Sequence, residues 1–445
     1  MKRKNPILIL SVLAVVSLLG LGLLGRTNHR VEKLRKSSLR ARIKSVSYVD
    51  SLKSPSGNDS EPQSLMVKLK PVLSGMDVKT LFQSTGFAEI EPLYDNVYRF
   101  QGKDSLVPLN DLMEQLRNNP AVELVEKDVV VRAMEVPNDP YFLYQFYLYN
   151  HGQTLNLTDG TVVQPKSGAD INVVDAWTFS KGSEEVKIGV LDSGADYNHP
   201  DLRNKLDAGF NFVGNNAYPI DDNGHGTAMA GIIGASTNNG QGVAGICWNC
   251  RLIPYKVLGA DGKGNYSNLV LAIRRAVDEG CKVINMSLGA DEPSIILEDA
   301  LKYAYEKDVV ILAATGNEGK GSVCYPARYS SYVLAVAATD EKDLHASFSN
   351  HGPEVAVAAP GHMIMTTFPN GQYALVTGTS PATAVASGVV GLIRSLKPFL
   401  TAEEIFKILK YGSDDVNKAL FPGIDIYLGW GRLNANTYVA PIKVE

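Results

Sequence analysis

The chain has 445 residues, of which 45% are hydrophobic, and its net charge is −4. Residues 1–50 carry 11 Lys or Arg against two acidic residues, so the rest of the chain carries a net charge of −13. An acidic body of this size argues against a nucleic-acid partner and allows more than one domain. Four cysteines are too few for a disulfide scaffold, and without a Cys/His cluster they predict no zinc site.

The N-terminal segment predicts export. Basic "MKRK" precedes an uncharged apolar run over residues 7–25. This pattern is typical of a signal peptide, and the run also approaches the length of a membrane-spanning helix. Residues 1–25 are therefore either a cleaved signal peptide or an anchor, and we expect a secreted protein or one held at the membrane through residues 5–25. Residues 26–60 are basic and then rich in Ser, Pro and Gly, which predicts a linker.

Strand-like and helical patterns alternate over residues 61–134. The strand-like segments are "SLMVKLK", "NVYRFQG" and "VELVEKDVVVRA", and the helical segments are "VKTLFQSTG" and "LNDLMEQLRNNP". Two helices interleaved with strands predict a small α+β domain.

From residue 186 onward the alternation is regular. The apolar runs "VKIGVLD", "RLIPYKVL", "CKVINMSLG", "VVILAATGN" and "YVLAVAATD" are typical of strands buried on both faces. Among the helical segments between them, "SNLVLAIRRAVDEG" is predicted to have Ser267 as its N-cap and Gly280 as its stop. The predicted fold class is α/β with a doubly wound, mostly parallel sheet. In such sheets the functional residues lie beyond the carboxyl ends of the strands.

Four polar residues occupy such positions. Asp192 and Asn317 end two of the strand-like segments, whereas His225 and Ser380 lie in the polar openings of apolar helices. A serine becomes a nucleophile when a histidine accepts its proton, a carboxylate orients that histidine, and an amide stabilises the oxyanion. Each residue alone is also typical of a helix cap or a turn, but the four together predict nucleophilic catalysis.

The pair Cys247 and Cys250, in "CWNC", lies just before a strand-like segment. A redox-active pair would instead lie at the beginning of a helix. We therefore predict a structural role for this pair, whether it is oxidised or reduced.

The segments "VLDSGADYNHPDL", "NGHGTAMAG", "AATGNEG" and "GTSPATA" resemble the four signature segments of the subtilisin family of serine peptidases, and "PNDPYF" resembles its thermitase branch. The resemblance covers residues 138–445. It implies a serine endopeptidase that acts on polypeptides, as a monomer and without an organic cofactor. It also implies that Asp192, His225 and Ser380 form the triad, and that Asn317 and the Ser380 backbone N–H stabilise the oxyanion.

Residues 61–134 resemble the ferredoxin-like inhibitory propeptide of that family. The resemblance implies a zymogen whose own propeptide is a partner, with its tail in the active-site cleft. Self-cleavage is then expected within "VRAMEVPNDP".

Two further segments, "LGADGKGNY" and "SLGA", resemble those that flank an extended peptide substrate as added strands. The matching positions are Gly262, Lys263, Gly264, Ser287, Leu288 and Gly289. Cys324 falls where many relatives carry a small residue that lines the primary specificity pocket. It either narrows that pocket or is simply a buried free cysteine.

The resemblance also implies a structural Ca²⁺ ion. The matching ligands all offer oxygen atoms, as this ion requires. They are Asp139, Asp201 and Asn239 with the carbonyls of Thr237, Gln241 and Val243. A second, thermitase-like site before His225 would have only Asp221 and Asp222 as carboxylates, and these are otherwise expected to be solvated.

The chain departs from the usual family pattern G-T-S-M-A-x-P-H-V-A-G, since it has G-T-S-P-A-T-A-V-A-S-G. Pro381 replaces methionine and is expected to push Ser380 away from helical angles. It also removes an oxidisable thioether, which predicts resistance to peroxide. Ala384, Val385 and Ala228 replace other usual residues, none of them catalytic.

Two other classes of protein remain open from the sequence. A pseudoenzyme that keeps the fold to bind peptides would be expected to lack a triad member, and none is missing. An anchored structural protein that uses basic residues 26–50 at a membrane would explain only the N-terminus.

Overall fold

The computed structural model describes residues 64–70, 78, 82, 87–102, 109–128, 136–157 and 160–440. The predictions for the signal peptide or anchor and for the linker lie outside these residues. The chain divides between Ala133 and Met134 into two compact units, which are described separately. Within the described residues, no helix combines the length and the apolar character needed to cross a membrane.

The smaller unit contains a four-stranded antiparallel sheet. Its elements are β1 (Ser64–Leu69), β2 (Phe87–Tyr94), β3 (Val97–Gly102), α1 (Leu109–Arg117) and β4 (Val122–Lys127). The strand order is β2-β3-β1-β4, as in a ferredoxin-like sheet. Strand β2 was not predicted, because Pro92 and two glutamates mask its β pattern. Of the predicted first helix, only Val78 and Phe82 lie among the described residues, and Val78 is helical.

The larger unit is built on a seven-stranded sheet in which every neighbouring pair is parallel. Its strands are β7 (Lys187–Asp192), β8 (Phe210–Asn211), β9 (Arg251–Lys256), β10 (Val283–Met286), β11 (Val310–Ala314), β12 (Leu334–Thr339) and β13 (Val355–Pro360). Their order in the sheet is β13-β12-β11-β10-β7-β9-β8. The predicted α/β class and parallel sheet are therefore confirmed.

Helices cover both faces of this sheet. They are α2 (Val173–Ala176), α3 (His225–Gly234), α4 (Tyr266–Asp278), α5 (Ile295–Glu306), α6 (Thr379–Leu396), α7 (Ala402–Tyr411) and α8 (Ala435–Val439). Strand residues alternate between two apolar clusters, one packed with α3 and α6 and the other with α4 and α5. Two short antiparallel pairs complete the unit: β5 (Leu155–Asn156) with β6 (Val162–Val163), and β14 (Ile364–Phe368) with β15 (Gln372–Val376).

The N-cap of α4 differs from the prediction. The cap is Asn265 with extended backbone angles, and Ser267 lies inside the first turn of the helix. The side chain of Asn265 makes no capping hydrogen bond. Gly280 follows the helix with a φ of +81°, as expected for a residue that ends it.

Every residue of helix α6 from Thr379 to Arg394 is buried. The helix therefore lies inside the core on all its faces, unlike a surface helix that buries a single apolar face. It passes over the Cys247–Cys250 disulfide, which is buried before β9. A Cβ on Gly391 would lie 3.0 Å from the sulfur of Cys250, so glycine permits this close packing. The predicted structural role of the cysteine pair matches this placement.

Candidate active site

Asp192 and His225 form a direct hydrogen-bonded pair at the carboxyl edge of the sheet. Asp192 is the last residue of β7, is fully buried, and lies 2.8 and 2.9 Å from the Nδ1 atom of His225 through its two carboxylate oxygens. His225 is the first residue of α3. The next residue, Gly226, permits this approach, because a Cβ there would lie 2.1 Å from the carbonyl oxygen of Gly194.

Asp221 holds the turn that precedes α3. Its buried carboxylate accepts hydrogen bonds from the backbone N–H groups of Asn223, Gly224 and Thr227. It also accepts from the hydroxyls of Ser193 at 2.8 Å and Thr227 at 2.6 Å. Because Ser193 directly follows Asp192, this carboxylate ties the end of β7 to the beginning of the histidine helix.

The environment of His225 raises its pKa. Burial lowers the pKa, but the charge of Asp192 and its hydrogen bond outweigh burial, and the charge of Asp221 adds to them. Because Nδ1 donates its proton to the Asp192 carboxylate, the neutral ring carries its hydrogen at Nδ1. Nε2 is then the nitrogen that can accept a further proton. The imidazole is thus suited to act as a general base near neutral pH.

Ser380 is buried near the beginning of α6, and it lines one cleft together with His225, Asn317 and Pro381. Its hydroxyl donates to the carbonyl oxygen of Ser287 at 3.2 Å, so the expected Ser–His hydrogen bond is not formed in this structure. A buried hydroxyl needs an acceptor, and the Ser287 carbonyl after β10 supplies it. Rotation about the Cα–Cβ bond would redirect the hydroxyl within the cleft.

Pro381 does not displace Ser380 from the helix, contrary to the prediction. Helix α6 begins at Thr379 and includes both residues. The first backbone N–H groups of a helix have no intrahelical acceptor, so proline costs no hydrogen bond here. The Ser380 N–H has no hydrogen-bond acceptor among the described residues. It lies in the first turn of a helix, where free N–H groups and the helix dipole favour the binding of anions.

Asn317, shortly after β11, is oriented by Thr379. Its Oδ1 accepts from the backbone N–H of Thr379 at 2.7 Å and from the Thr379 hydroxyl at 2.9 Å. The same hydroxyl accepts from the Gly316 N–H at 3.2 Å. The carboxamide therefore turns its NH₂ group away from these partners, and Asn317 lines the cleft. The sequence analysis missed the role of Thr379, although its position beside the serine in "GTS" was a usable signal.

The first of the two predicted substrate segments is exposed. Gly262, Lys263 and Gly264 lie in a tight loop that is closed by a Gly259 N–H to Lys263 carbonyl bond of 2.8 Å. The side chain of Asn223 donates to the carbonyl of Ala260 and so links this loop to the turn before His225.

In the second segment, Ser287 is buried, Leu288 is half-buried and Gly289 is exposed. Cys324 packs directly against it, since a Cβ on Gly289 would lie 2.2 Å from the Cys324 sulfur. The thiol donates to the carbonyl of Ala314 at 3.3 Å, and burial raises its pKa to about 12. Cys324 is thus a buried, protonated thiol behind the exposed Gly289 backbone.

The predicted calcium ligands meet at one place, which we call the cation loop: residues 237–243 with Asp139 and Asp201. Both carboxylates are buried, and no Lys or Arg among the described residues pairs with either. Burial, with a smaller contribution from the charge of Asp201, raises the pKa of Asp139 to about 6, although the N–H groups of Asn238 and Asn239 act to lower it. His199 adds no positive charge, because its Nδ1 accepts from the Asp201 N–H while Nε2 bonds the Gln372 carbonyl.

The oxygen atoms of the cation loop fit a hard cation. The carbonyls of Thr237, Gln241 and Val243 have no hydrogen-bond donor among the described residues. Asn239 donates its NH₂ to Asp201 at 3.0 Å in this arrangement, so its oxygen would have to turn to bind an ion. No group of three or more His, Cys, Asp or Glu side chains able to hold a metal occurs in the described part of the chain. The donor set is therefore one of mixed carbonyls and carboxylates.

Asp221 and Asp222, the carboxylates of the second, thermitase-like site, have partners within the protein and are not simply solvated. Asp221 is buried and its two oxygens accept from five donors. Asp222 pairs with the buried Lys256 at 2.6 Å. The structure uses both carboxylates to build the turn before His225.

Comparisons with known proteins agree with this arrangement. The Subtilase family matches residues 183–431. A thermophilic serine proteinase of Bacillus sp. (strain AK1) is 38% identical over 324 residues, which are 73% of this chain and 74% of that protein. Thermitase of Thermoactinomyces vulgaris is 38% identical over 67% of this chain and 97% of its own length.

A cell wall-associated protease of Bacillus subtilis (strain 168) is 36% identical over 79% of this chain and 42% of its own length. Among solved structures, a protease from Pseudoalteromonas arctica superimposes with a TM-score of 0.60 at 28% identity, covering 69% of this chain and 99% of that one. The matched family spans more than half of the chain and contains the strand ends and helix openings described above. The chain therefore belongs to the subtilase family, in its thermitase-like branch, and is a subtilisin-like serine endopeptidase.

Proposed function

We propose that this enzyme cleaves polypeptides through Ser380, His225 and Asp192, with Asn317 and the Ser380 N–H as oxyanion donors. The observation that carries the proposal is the Asp192–His225 pair, which faces the same cleft as the serine and the carboxamide. The bonded carboxylate fixes the histidine tautomer and stabilises the imidazolium.

Acylation begins when the Ser380 hydroxyl turns from the Ser287 carbonyl toward His225. The oxygen then attacks the scissile carbonyl carbon while Nε2 of His225 takes the proton. The negative charge that forms on the carbonyl oxygen is held by the Asn317 NH₂ and the Ser380 N–H, a contribution of roughly 3–4 kcal/mol for one such donor. The imidazolium gives its proton to the leaving amine, and water releases the acyl group by the same steps.

Substrate is proposed to bind as an extended strand between the Gly262–Gly264 loop and the Ser287–Gly289 segment. The exposed backbone at Lys263 and at Gly289 supports this, because main-chain hydrogen bonds are the basis of such recognition. Cys324 would form the wall of the primary pocket and reduce its depth, which favours small side chains at the cleaved residue.

Calcium is proposed as a structural ion in the cation loop. The two buried carboxylates without a cationic partner and the three unpaired carbonyls support this assignment. When bound, the ion would supply the positive charge that Asp139 and Asp201 otherwise lack. It takes no part in peptide cleavage.

The enzyme is proposed to be an exported, monomeric zymogen. The basic-apolar N-terminus supports export, and the buried Cys247–Cys250 disulfide fits an oxidising compartment. The four-stranded unit that precedes Met134 is proposed to be the inhibitory propeptide, which the enzyme removes by cutting within residues 131–140.

A direct test is expression of the full-length chain beside Ser380→Ala in an export-competent host. N-terminal sequencing of the secreted product should give a new N-terminus within residues 131–140 for the wild type only. The variant should keep the unit that precedes Met134. If the variant is cut at the same bond at the same rate, processing is not autocatalytic and the proposal is wrong.

A further inference from the structure

The strand and helix that carry the nucleophile are joined by a buried chain of hydrogen bonds outside the triad. The Ser387 hydroxyl donates to Oδ1 of Asn285 at 3.0 Å, and Nδ2 of Asn285 donates to the Ser287 hydroxyl at 3.1 Å. The Ser287 hydroxyl in turn donates to the backbone carbonyl of Ser380 at 2.9 Å. We call these three residues, Ser387, Asn285 and Ser287, the relay.

The direction of every proton in the relay is fixed. An amide oxygen only accepts hydrogen bonds and an amide nitrogen only donates them. Oδ1 of Asn285 therefore accepts from Ser387, and Nδ2 of Asn285 donates to Ser287. The Ser287 oxygen is then an acceptor from Asn285, and its single proton goes to the Ser380 carbonyl. Hydrogen bonds in such a chain polarise one another, especially where water is excluded. The exposed fractions of Ser387, Asn285 and Ser287 are 0%, 0% and 4%.

The position of Asn285 in the sheet indicates that it serves this connection. Strand β10 places Val283 in the apolar cluster with α6 and places Ile284 and Met286 in the opposite cluster. By alternation Asn285 faces α6, where an apolar residue would pack at lower desolvation cost. Its hydrogen bonds to Ser387 and Ser287 offset that cost. Ser387 itself stands where the usual family pattern has alanine.

We propose that the relay positions the nucleophile by holding the backbone of Ser380 while its hydroxyl moves. Ser287 and Ser380 are bonded twice: the Ser287 hydroxyl binds the Ser380 carbonyl, and the Ser380 hydroxyl binds the Ser287 carbonyl. Catalysis must break the second bond, because that hydroxyl has to turn toward His225. The first bond can persist, so the backbone and its oxyanion-binding N–H stay in place. Ser287 is therefore a positioning residue, and Ser387 acts through Asn285. This inference rests on the proposed role of Ser380.

The test is a double-mutant cycle on the processed enzyme with Ser287→Ala, Ser387→Ala and both together. Kinetics on a chromogenic peptide are normalised to active sites titrated with a fluorophosphonate, so unfolded protein does not count. We expect kcat to fall about tenfold for Ser287→Ala and about threefold for Ser387→Ala, since each loses one buried hydrogen bond. KM should change little, because the Ser287 backbone is retained. The double variant should be no slower than Ser287→Ala, because both residues act through one chain.

Three controls make the outcome decisive. Ser395→Ala removes a hydroxyl from the same helix, where it donates to the Gly391 carbonyl and lies 3.9 Å from the Cys250 sulfur, and it should leave kcat unchanged. Ser287→Thr keeps the hydroxyl and should restore most of kcat. Ser380→Ala should be inactive.

Independent losses that multiply in the double variant would overturn the relay, as would unchanged kcat in Ser287→Ala or an equal loss in Ser395→Ala. Activity that persists in Ser380→Ala would instead overturn the proposed function, so the two failures are distinguishable.

Discussion

Two pairs among the buried carboxylates of the larger unit, Asp192 with Asp221 and Asp139 with Asp201, differ in the source of positive charge beside them. Asp192 and Asp221 lie at the catalytic edge of the sheet, where the protein supplies backbone N–H groups, hydroxyls and an imidazole as partners. Asp139 and Asp201 lie at the cation loop. They also accept hydrogen bonds, from backbone N–H groups and from the Tyr373 hydroxyl, but no Lys or Arg among the described residues pairs with them. The first pair raises the pKa of a neighbouring histidine, whereas in the second pair burial raises the pKa of Asp139 itself.

The catalytic edge and the cation loop obtain their positive charge from different sources. At the catalytic edge the charge is generated during the reaction, as a proton on His225, and Asp192 is already placed to stabilise it. At the cation loop no Lys or Arg in the described part of the chain supplies that charge, and the hydrogen bonds of His199 keep its ring neutral. Under the calcium proposal that region takes its positive charge from an ion in solution, whereas the catalytic edge takes it from a proton.

The largest expected effect comes from Asp192→Asn, which removes the charge that stabilises the imidazolium. We expect kcat on a peptide substrate to fall by about 10⁴ with a small change in KM, since the amide also favours the wrong histidine tautomer. Circular dichroism should show a folded protein. A loss of less than tenfold would mean that Asp192 is only a structural partner of His225.

Calcium removal should weaken the enzyme in a pH-dependent way. The pKa of Asp139 in the folded protein, about 6, exceeds its ordinary value of 3.8, so its proton favours the folded state. That contribution is fully present below pH 3.8 and is lost as the pH rises through 6, by about 3 kcal/mol in metal-free protein. Calcium should therefore raise the melting temperature more at pH 8 than at pH 4.

The matched control for this experiment is Asp139→Asn, which cannot titrate. Melting of this variant by calorimetry should show a smaller calcium response and no pH dependence from this residue. An equal response to calcium in the wild type at pH 4 and pH 8 would contradict the role of Asp139.

Asp221→Asn should shift the pH profile as well as lower stability. The charge of Asp221 helps raise the pKa of His225, so its removal should lower that pKa. Because neutral His225 is the base, the acid limb of kcat/KM should move to lower pH. Loss of an acceptor for buried donors should also cost about 1–3 kcal/mol of unfolding free energy. A destabilised variant with an unchanged acid limb would show that Asp221 acts only on the turn.

The smallest expected effect on the rate of peptide cleavage is that of Pro381→Met. We expect this variant to differ from the wild type only after treatment with peroxide. Pro381→Met introduces a thioether next to the nucleophile, where oxidation to the sulfoxide adds a polar group. Incubation with hydrogen peroxide should inactivate the variant and spare the wild type, as followed by residual hydrolysis. Equal inactivation of both proteins would place the sensitive residue elsewhere.

The sheet and the helix openings could be predicted because their signals are local. Continuous apolar runs identified β7, β10 and β11, and the burial of α6 follows from its uncharged sequence. Strand β2 was missed because its acidic residues and proline obscure the pattern, and pairing in the folded sheet overrides that weak propensity.

The hydrogen-bond partners could not be predicted, because they join residues far apart in the chain. Asn285 and Ser387 are separated by 102 positions, and nothing in either segment indicates the other. The hydroxyl direction of Ser380 is likewise set by the Ser287 carbonyl, which only the packing of α6 against β10 brings near. The displacement of Ser380 predicted for Pro381 was wrong, since both residues lie in the first turn of α6, where proline also removes no hydrogen bond.

The central claim is that Ser380 is the nucleophile activated by His225. Its most direct test is peptide mass spectrometry after reaction of the folded enzyme with a fluorophosphonate. The account predicts one adduct per molecule, on the peptide that contains Ser380, with labelling greatly slowed in Asp192→Asn and absent in Ser380→Ala. Peptide hydrolysis that continues without any adduct on Ser380 would contradict it.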